Sequence, residues 1–373
     1  MTESAGGRVD RWLAGHAGAV ATLLVLLGAA ARLRAASGPF LTPDEALHMQ
    51  IAGQGSALEV IRFSRYNAHP PLFVLLLHFW KAAVSSDWAL RLLPVLFGTL
   101  FLRAAYAWAR RLFGEQAALL TLAFVALLPS VVIVSSELRG YALLLCMIAA
   151  ALAALERGFA ESSPAWMAAF GALGALALLS HYVAFRFAAA AVAYSAIRLA
   201  AGPRPRRLVA AWVGAVALLA AVALMLAKSH VAQLRGGALE AEARSTWLRE
   251  SYFQRGEQGA AAFLWRQTLS LIHYLFSSTA AGVVALILFL FAIVVLGRGR
   301  KPAAILLALP VALAAVGGLL SAYPYGGTRH SIDLALFVCG GVGFALARLT
   351  GERRWVVLAA VAALAPAAFF AAG

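Results

Sequence analysis

The chain has 373 residues, of which 63% are apolar and only 13% are charged. A soluble domain carries about 25% charged residues, so this composition excludes an ordinary soluble protein. Apolar runs of about 18 residues recur along the chain, which indicates a polytopic helical membrane protein. A β-barrel would alternate polar and apolar residues, so we predict an all-α fold. The net charge of +15 lies mainly between the runs, where orientation and anionic lipid explain it better than nucleic acid does.

The first apolar run, Ala17 to Leu33, is preceded by Arg8 and Arg11. The small residues after it resemble the cleavage site of a secretory signal, but the run is long enough to span. We therefore predict a retained first helix with a cytoplasmic N-terminus. The predicted apolar runs lie at 17–33, 71–84, 89–108, 115–134, 140–156, 165–180, 183–199, 208–227, 264–276, 280–297, 302–321, 331–349 and 354–371.

The basic clusters between the runs indicate which runs cross the membrane. If all thirteen crossed, Arg110-Arg111 and the cluster at 204–207 would lie outside, against the positive-inside tendency. Runs 71–84 and 264–276 are too short to span comfortably, and we predict that both lie along the outer face as juxtamembrane helices. Every basic cluster then falls inside. The expectation is about eleven crossings with an outer C-terminus.

We expect residues 1–373 to form one membrane domain, with the site and a lid carried by outer loops at about 34–88 and 228–279. The polar stretch at 228–262 mixes charges with aromatic residues, as an amphipathic surface helix or a solvated loop would. The two cysteines, Cys146 and Cys339, lie inside apolar runs, where packing is the expected role.

The sequence Leu-Thr-Pro-Asp-Glu at 41–45 places two adjacent carboxylates just past the first apolar run. Pro43 suits the first turn of a helix, where carboxylates are favoured by the helix dipole. Asp44 and Glu45 either cap that helix or carry chemistry, with Asp44 as the general base and Glu45 as its neighbour. His48, four residues after Asp44, is one further ligand candidate, but two ligands do not make a metal site.

Other polar residues interrupt the apolar runs on the same predicted face. His69 precedes two prolines and is either a boundary residue or a site residue. Glu137 and Arg139 pair with one another, or Arg139 binds a phosphate, for which its planar guanidinium is suited. Tyr141 follows Arg139 and completes this group of candidates.

Two later loops add further candidates. Ser180-His181-Tyr182 forms a simple turn or a ligand contact. Arg329 and His330 follow a Tyr-Pro-Tyr-Gly-Gly-Thr stretch, and an aromatic belt would explain its tyrosines but not this basic pair. The sequence contains no convincing metal motif.

The order of the motifs resembles a known superfamily. An Asp-Glu pair in the first loop is followed by His-Pro-Pro-Leu at 69–72, Arg-Leu-Leu-Pro-Val-Leu-Phe-Gly at 91–98, Ala-Arg-Arg-Leu-Phe-Gly at 109–114 and Glu-Leu-Arg-Gly-Tyr at 137–141. This order is similar to the glycosyltransferase C superfamily. Its nearest branch resembles the protein-mannosyltransferase and lipid A aminoarabinose transferase group, with the small bacterial polyprenyl-phosphate-sugar transferases.

The resemblance implies a sugar donor carried on a polyprenyl monophosphate and inverting transfer to a hydroxyl of a lipid, glycan or protein. It implies that Asp44, the loop-one Asp, is the base, and a site on the outer face of a bacterial inner membrane. From the residues we expect Arg139 and Arg329 to stabilise the departing phosphate, and His69, Glu137, His181 and Tyr182 to shape the sugar pocket. The prenyl chain would lie near Phe185 or Phe337.

No cofactor is required by this interpretation, although a divalent metal is left open. The expected partners are the lipid-linked donor, the acceptor and the bilayer, and no nucleic acid. The alternative interpretation is a transporter or flippase, which would place charges near the bilayer midplane.

Overall fold

The computed structural model describes residues 10–13, 15–38, 40–65, 69–232, 237–351 and 353–370. These residues form helices and loops without a strand, and each predicted apolar run is found as one helix or as a pair of helices. The helices are α1 (Ala17–Ala35), α2 (Pro43–Ala52), α3 (Ala57–Ser64), α4 (Leu72–Trp80), α5 (Asp87–Phe113), α6 (Glu115–Leu127), α7 (Pro129–Val134), α8 (Tyr141–Ala160), α9 (Pro164–Ser180), α10 (Ala184–Ala200), α11 (Arg206–Leu226), α12 (Ala238–Ser245), α13 (Ala260–Phe276), α14 (Thr279–Gly299), α15 (Lys301–Leu319), α16 (Leu334–Thr350) and α17 (Trp355–Phe370).

Six helices of the described chain are long and apolar enough to cross a membrane, namely α1, α5, α8, α11 with its following turn, α14 and α15. Helices α6, α9, α16 and α17 are shorter apolar helices. The polytopic all-α fold is therefore confirmed, while the number of about eleven crossings stays a prediction. Helix α4 has 9 residues and is too short to cross, whereas α13 has 17 residues and exceeds the short run predicted at 264–276.

The predicted single run at 115–134 is broken into α6 and α7 because Pro129 lacks a backbone N–H. The carbonyls at the end of α6 are satisfied by Arg32 of α1, which is fully buried. Its Nη1 donates to Ala126 O at 3.0 Å, and its Nη2 donates to Val125 O at 3.0 Å. A buried guanidinium with these partners closes the helix break and ties α1 to α6.

Small residues decide how closely the central helices approach. Helix α8 lies between α5 and α9, and α9 packs in turn on α11. A Cβ atom on Gly171 would lie 2.7 Å from the Cα of Ala215, and one on Gly174 would lie 2.7 Å from a methyl of Leu219. Glycine at these positions allows close packing of α9 and α11, as is common between membrane helices.

The helix ends form two groups. At one end, Arg300 donates to Leu112 O at 3.0 Å, and Gln116 bonds to the Thr350 hydroxyl at 3.2 Å. These contacts bring together the ends of the helices that carry the basic clusters. The other end, here called the polar-loop end, is formed by α2 and by the loops 135–140, 181–183 and 320–333.

The polar stretch that follows α11 is ordered against the polar-loop end over its described part. Tyr325 N donates to Ser251 O at 2.9 Å, and Phe253 N donates to Gly318 O at 3.1 Å. The segment 237–262 therefore supports the loop that leads to Arg329, and its predicted action as a lid stays a prediction.

Candidate active site

The first turn of α2 orients its two carboxylates differently. Thr42 caps the helix, because its hydroxyl accepts from Glu45 N at 3.3 Å while the Glu45 carboxylate accepts from Thr42 N at 2.8 Å. Pro43 occupies the first helical position, where a missing N–H is no loss. The capping role that the sequence left open applies to Glu45, and Asp44 is free to face the loops around it.

Glu45 is locked into the protein and is only 1% exposed. Arg91 of α5 donates a hydrogen bond to each of its two carboxylate oxygens at 2.8 Å, and Leu138 N donates to one of them at 2.9 Å. Burial would raise the pKa of Glu45, but the hydrogen bonds from Arg91, Thr42 N and Leu138 N hold that pKa below its ordinary value. The geometry does not favour the predicted catalytic part for Glu45, since no oxygen is left to take a proton. Its contacts tie α2 to α5 and to the loop 135–140.

Asp44 lies beside Glu45 and remains accessible, with its side chain 42% exposed. A single oxygen, Oδ2, accepts from Arg139 Nη1 at 2.6 Å and from Arg329 Nη2 at 2.5 Å. Partial burial would raise the pKa of Asp44, but the two guanidiniums hold it below its ordinary value. The alternative of a Glu137–Arg139 ion pair is wrong, because Arg139 bonds to Asp44 instead. Asp44 therefore contacts both arginines directly.

Beneath this charged group lies a stack of aromatic rings. The guanidinium of Arg139 lies 5.3 Å from the ring centre of Tyr141, which lies 4.9 Å from the ring of His181 at a tilt of 32°. His69 meets His181 edge-on at 5.0 Å, and His48 meets His69 at 5.4 Å. The structure therefore brings His69, Tyr141 and His181 together as predicted candidates, and it adds His48, which the sequence left unassigned.

The hydrogen bonds of two histidines identify their neutral tautomers. His48 Nδ1 lies 2.8 Å from Asp44 O, an acceptor, so this nitrogen carries the proton. His181 Nδ1 accepts from Val183 N at 3.3 Å, so its proton lies on Nε2. Burial lowers the pKa of His48 to about 4, and burial together with neighbouring His69, His330 and Arg139 lowers the pKa of His181 well below 6.5. Both rings are neutral at pH 7.

Several buried polar atoms of this stack have no hydrogen-bond partner in the described part of the protein. They include His181 Nε2, the Tyr141 hydroxyl, Glu137 Oε2 and Arg139 Nε. Burial raises the pKa of Glu137 above its ordinary value. Buried polar groups are almost always hydrogen-bonded, so such a concentration indicates a place built for a polar ligand or for water.

A second buried ion pair holds the loop that carries Arg329 and His330. Arg186 of α10 donates through Nη2 to Asp333 at 2.5 Å and to His330 O at 2.9 Å. Burial and the nearby arginines lower the pKa of His330 to about 3. The sequence analysis assigned no role to Arg91, Arg186 or Asp333. The two arginines left a signal, because each interrupts an apolar run in which a charge is costly.

The remaining candidates are placed as follows. Tyr182 is buried, and its hydroxyl has no partner among the described residues. Phe185 is half-buried. Phe337 is fully buried, with its ring 6.4 Å from that of Trp108, and the position of the prenyl chain near Phe185 or Phe337 stays a prediction. No three His, Cys, Asp or Glu side chains converge as metal ligands within the described ranges, and the open question of a divalent metal stays open.

Comparisons with known proteins found a family match for part of the chain. Residues 68–227 match the family of dolichyl-phosphate-mannose-protein mannosyltransferases. A search of the curated proteins found no significant match.

Solved structures resemble the fold over almost the whole chain. ArnT from Cupriavidus metallidurans bound to undecaprenyl phosphate is 17% identical with a TM-score of 0.55, over 96% of this chain and 64% of that one. The apo form of the same ArnT is also 17% identical, with a TM-score of 0.56 over 92% of this chain and 63% of that one. The oligosaccharyltransferase AglB of Archaeoglobus fulgidus, in complex with an inhibitory peptide and a dolichol-phosphate, is 13% identical with a TM-score of 0.56, over 97% and 56%. The chain thus spans between one half and two thirds of the length of these relatives.

The fold is that of a polytopic integral membrane protein similar to ArnT and AglB, and residues 68–227 resemble the mannosyltransferase family. The predicted resemblance to the mannosyltransferase and ArnT-like group is therefore confirmed.

Proposed function

We propose that the chain is an inverting glycosyltransferase, which moves a sugar from a polyprenyl-phosphate donor to a hydroxyl acceptor. The observation that carries the proposal is the shared carboxylate oxygen of Asp44, which holds Arg139 and Arg329 together. Two guanidiniums that converge on one anionic oxygen are arranged to bind a phosphate in the same way.

In this proposal the donor phosphate exchanges with Asp44. With no donor bound, the two cations reduce the basicity of Asp44. When a phosphodiester binds one or both guanidiniums in place of Asp44, the basicity of Asp44 rises again. The carboxylate is then free at the edge of the site. Asp44 therefore becomes a competent base only when the donor is in place.

The chemical step balances without a further reagent. The acceptor oxygen attacks the anomeric carbon of the sugar and its proton passes to the Asp44 carboxylate. The bond between the anomeric carbon and the phosphate oxygen breaks, and its electron pair leaves with polyprenyl phosphate. Arg139 and Arg329 stabilise the charge that grows on this leaving group. Attack from the face opposite the phosphate inverts the anomeric configuration.

The neighbouring residues serve this step in defined ways. Glu45 positions Asp44 by fixing the start of α2 on Arg91. Asp333 and Arg186 hold the loop of Arg329 and His330. The sugar lies against His69, Glu137, Tyr141, His181 and Tyr182. The acceptor is a lipid, a glycan or a protein with a free hydroxyl, and the polar-loop end faces the outside of a bacterial inner membrane.

A reconstituted assay tests the proposal. Purified protein in liposomes is given a mixed pool of polyprenyl-phosphate sugars with envelope lipids, glycans and proteins, and released polyprenyl phosphate is measured. We expect release that depends on the protein and on Asp44. A transporter or flippase would instead move the intact donor across the bilayer, and translocation without cleavage would contradict the proposal.

Reporter fusions test the orientation. Fusions after Arg111, Arg207 and Lys301 should report the cytoplasm, and fusions after Arg139 and Tyr325 should report the outside. A reversed pattern would move the site to the cytoplasmic face and would contradict the proposed location.

A further inference from the structure

We infer that a groove between α1, α5 and α8 binds one acidic phospholipid, with its phosphate on Arg103 and an acyl chain along the groove. The groove lies in the half of the bundle that ends at the basic clusters, whereas Asp44 lies at the polar-loop end. The inference therefore concerns a second site and does not depend on the proposed function.

The groove has a volume of about 610 Å³ and is lined by all three helices. Small residues form much of its wall, namely Gly18 and Ala21 of α1, Ala104 and Ala107 of α5, and Ala150 of α8. On α1, Gly18 is exposed and Ala21 is buried, so the groove is open at its rim and closed at its floor. Binding sites for small ligands typically measure about 300–1,000 Å³, and this groove has that size.

Arg103 is the only charged residue among the described residues that line the groove. It lies inside α5, ten residues before Phe113 and therefore about 15 Å from the end of the helix. Arg103 is exposed, and within the described chain it has no hydrogen bond, ion pair or ring contact. A charged side chain inside a membrane-spanning helix is costly, and such residues usually have a function.

Two other arginines of the same helices are satisfied by the protein itself. Arg32 of α1 is buried and donates to backbone carbonyls of α6. Arg91 of α5 is buried and forms an ion pair with Glu45. Arg103 shows the opposite combination, exposure without a partner among the described residues. Its counter-ion therefore comes from outside the protein.

The carboxylate beside the groove is already engaged. Glu115, at the start of α6, accepts from the hydroxyl of Tyr106, which belongs to the groove wall. The other oxygen of Glu115 lies 3.8 Å from Arg110 Nη1. This leaves the charge of Arg103 available to a ligand.

A ligand that fits this groove has an anionic head and an apolar tail. An acidic phospholipid supplies both, because its phosphate accepts charge-assisted hydrogen bonds from a guanidinium and its chain fills an apolar channel. A zwitterionic phospholipid carries its own cation beside the phosphate, and Arg103 repels that cation. Basic pockets between membrane helices bind acidic head groups for the same reason.

A comparison of two phospholipids tests the inference. Full-length protein stripped of lipid in detergent is titrated with phosphatidylglycerol or with phosphatidylcholine of the same chains, and retained lipid is counted by native mass spectrometry. We expect one phosphatidylglycerol to bind about tenfold more tightly than phosphatidylcholine, as a charge-assisted hydrogen bond would give. Equal retention of the two lipids would overturn the inference.

A matched pair of arginine variants tests the contact with the phosphate. Arg103→Gln should abolish the preference for phosphatidylglycerol. Arg111→Gln removes the same charge from an exposed position at the end of α5 and should keep the preference. An undiminished preference in Arg103→Gln, or an equal loss in both variants, would show a general surface attraction and would contradict a built site.

A matched pair of glycine variants tests the groove. A Cβ atom on Gly18 would meet no atom within 4 Å, so Gly18→Leu fills the groove without a clash inside the protein. It should weaken the retention of phosphatidylglycerol about tenfold. Gly214 of α11 is exposed and has the same open space, so Gly214→Leu is the control that should retain the lipid. Unchanged retention in Gly18→Leu would overturn the inference.

A competition measurement separates the phospholipid from the proposed donor. Polyprenyl phosphate is added to the protein loaded with phosphatidylglycerol. We expect the phospholipid to remain bound in the wild type while polyprenyl phosphate binds at Arg139 and Arg329. Displacement of the phospholipid by an equal concentration of polyprenyl phosphate would assign the groove to the donor chain and would overturn the inference.

Discussion

Clusters of carboxylate, arginine and tyrosine lie near both ends of helices α8 and α10, and at the polar-loop end the carboxylates come from neighbouring segments. The two clusters differ in how completely their polar atoms are hydrogen-bonded. At the end that carries the basic clusters, Glu156 accepts from the Tyr194 hydroxyl and from Arg198, the latter at 2.7 Å. Arg198 also donates to the Tyr194 hydroxyl at 2.6 Å. None of these three side chains has a buried polar atom without a partner. This cluster, here called the closed cluster, is a structural clasp between the two helices.

At the polar-loop end, the same helices carry Tyr141 and Arg186, and Arg139 immediately precedes α8. Here both arginines have buried nitrogens without hydrogen-bond partners. The hydroxyl of Tyr141 and Nε2 of the nearby His181 are also buried and without partners among the described residues. The residue types are the same, so composition does not distinguish a structural clasp from a binding site. The difference lies in whether the protein satisfies its own polar atoms.

The largest effect is expected for Asp44→Asn, which keeps the shape of the side chain and removes its basicity. Turnover should fall about 10²–10⁴-fold, as expected for the loss of a general base. Binding of polyprenyl phosphate should be as tight as in wild type or tighter, because the two arginines are released. Initial rates and donor binding check this, with Asp87→Asn at the start of α5, a half-buried carboxylate, as the control. A variant that turns over at the wild-type rate would make Asp44 a structural residue like those of the closed cluster.

Glu45→Gln should act on folding, although Glu45 is adjacent to Asp44. It leaves Arg91 buried beside an uncharged group, and breaking a buried pair costs about 3–5 kcal/mol. We expect a large fall in the unfolding midpoint in detergent. Normal stability with lost turnover would instead restore the predicted catalytic role of Glu45.

Arg139→Lys should weaken donor binding about tenfold, since lysine keeps the charge but lacks the planar fork. Arg139→Ala should weaken it further. The matched change in the closed cluster, Arg198→Lys, should leave donor affinity unaltered. The measurement is the Kd for polyprenyl phosphate, and equal values for Arg139→Ala and wild type would remove Arg139 from the phosphate site.

Glu156→Gln sharpens the comparison from the other end of the same helices. Loss of the carboxylate should lower stability by about 1–3 kcal/mol, because the Tyr194 hydroxyl and Arg198 lose their charged acceptor. The ratio of turnover to folded protein should stay constant. A change in donor affinity would show that the closed cluster is coupled to the site.

The smallest expected effect is the loss of folding stability at acid pH. The pKa of His48 is about 4 in the folded protein against 6.5 for an ordinary histidine, so between these values the unfolded chain binds more protons. Stability therefore falls as the pH drops from 6.5 towards 4. Thermal midpoints across this window should fall less in His48→Gln than in wild type. Parallel curves would show that His48 does not contribute.

Part of the molecule follows from the sequence alone. Apolar runs predict helices because a single helix satisfies its own backbone in lipid, and each run is found as one helix or as a pair of helices. Pro43 and the carboxylates after it predict the start of α2. The candidates Asp44, Arg139 and Arg329 could be named because polar residues beside long apolar runs are costly without a purpose.

What the tertiary structure decided is the partner of each charge. Two adjacent carboxylates look alike in a sequence, yet Glu45 forms an ion pair with Arg91, while Asp44 forms ion pairs with Arg139 and Arg329. Those pairings join residues 46, 95 and 285 positions apart, so no local pattern encodes them. Burial, tautomer and the absence of an internal acceptor also arise only when distant helices pack, and these properties distinguish the site from the clasp.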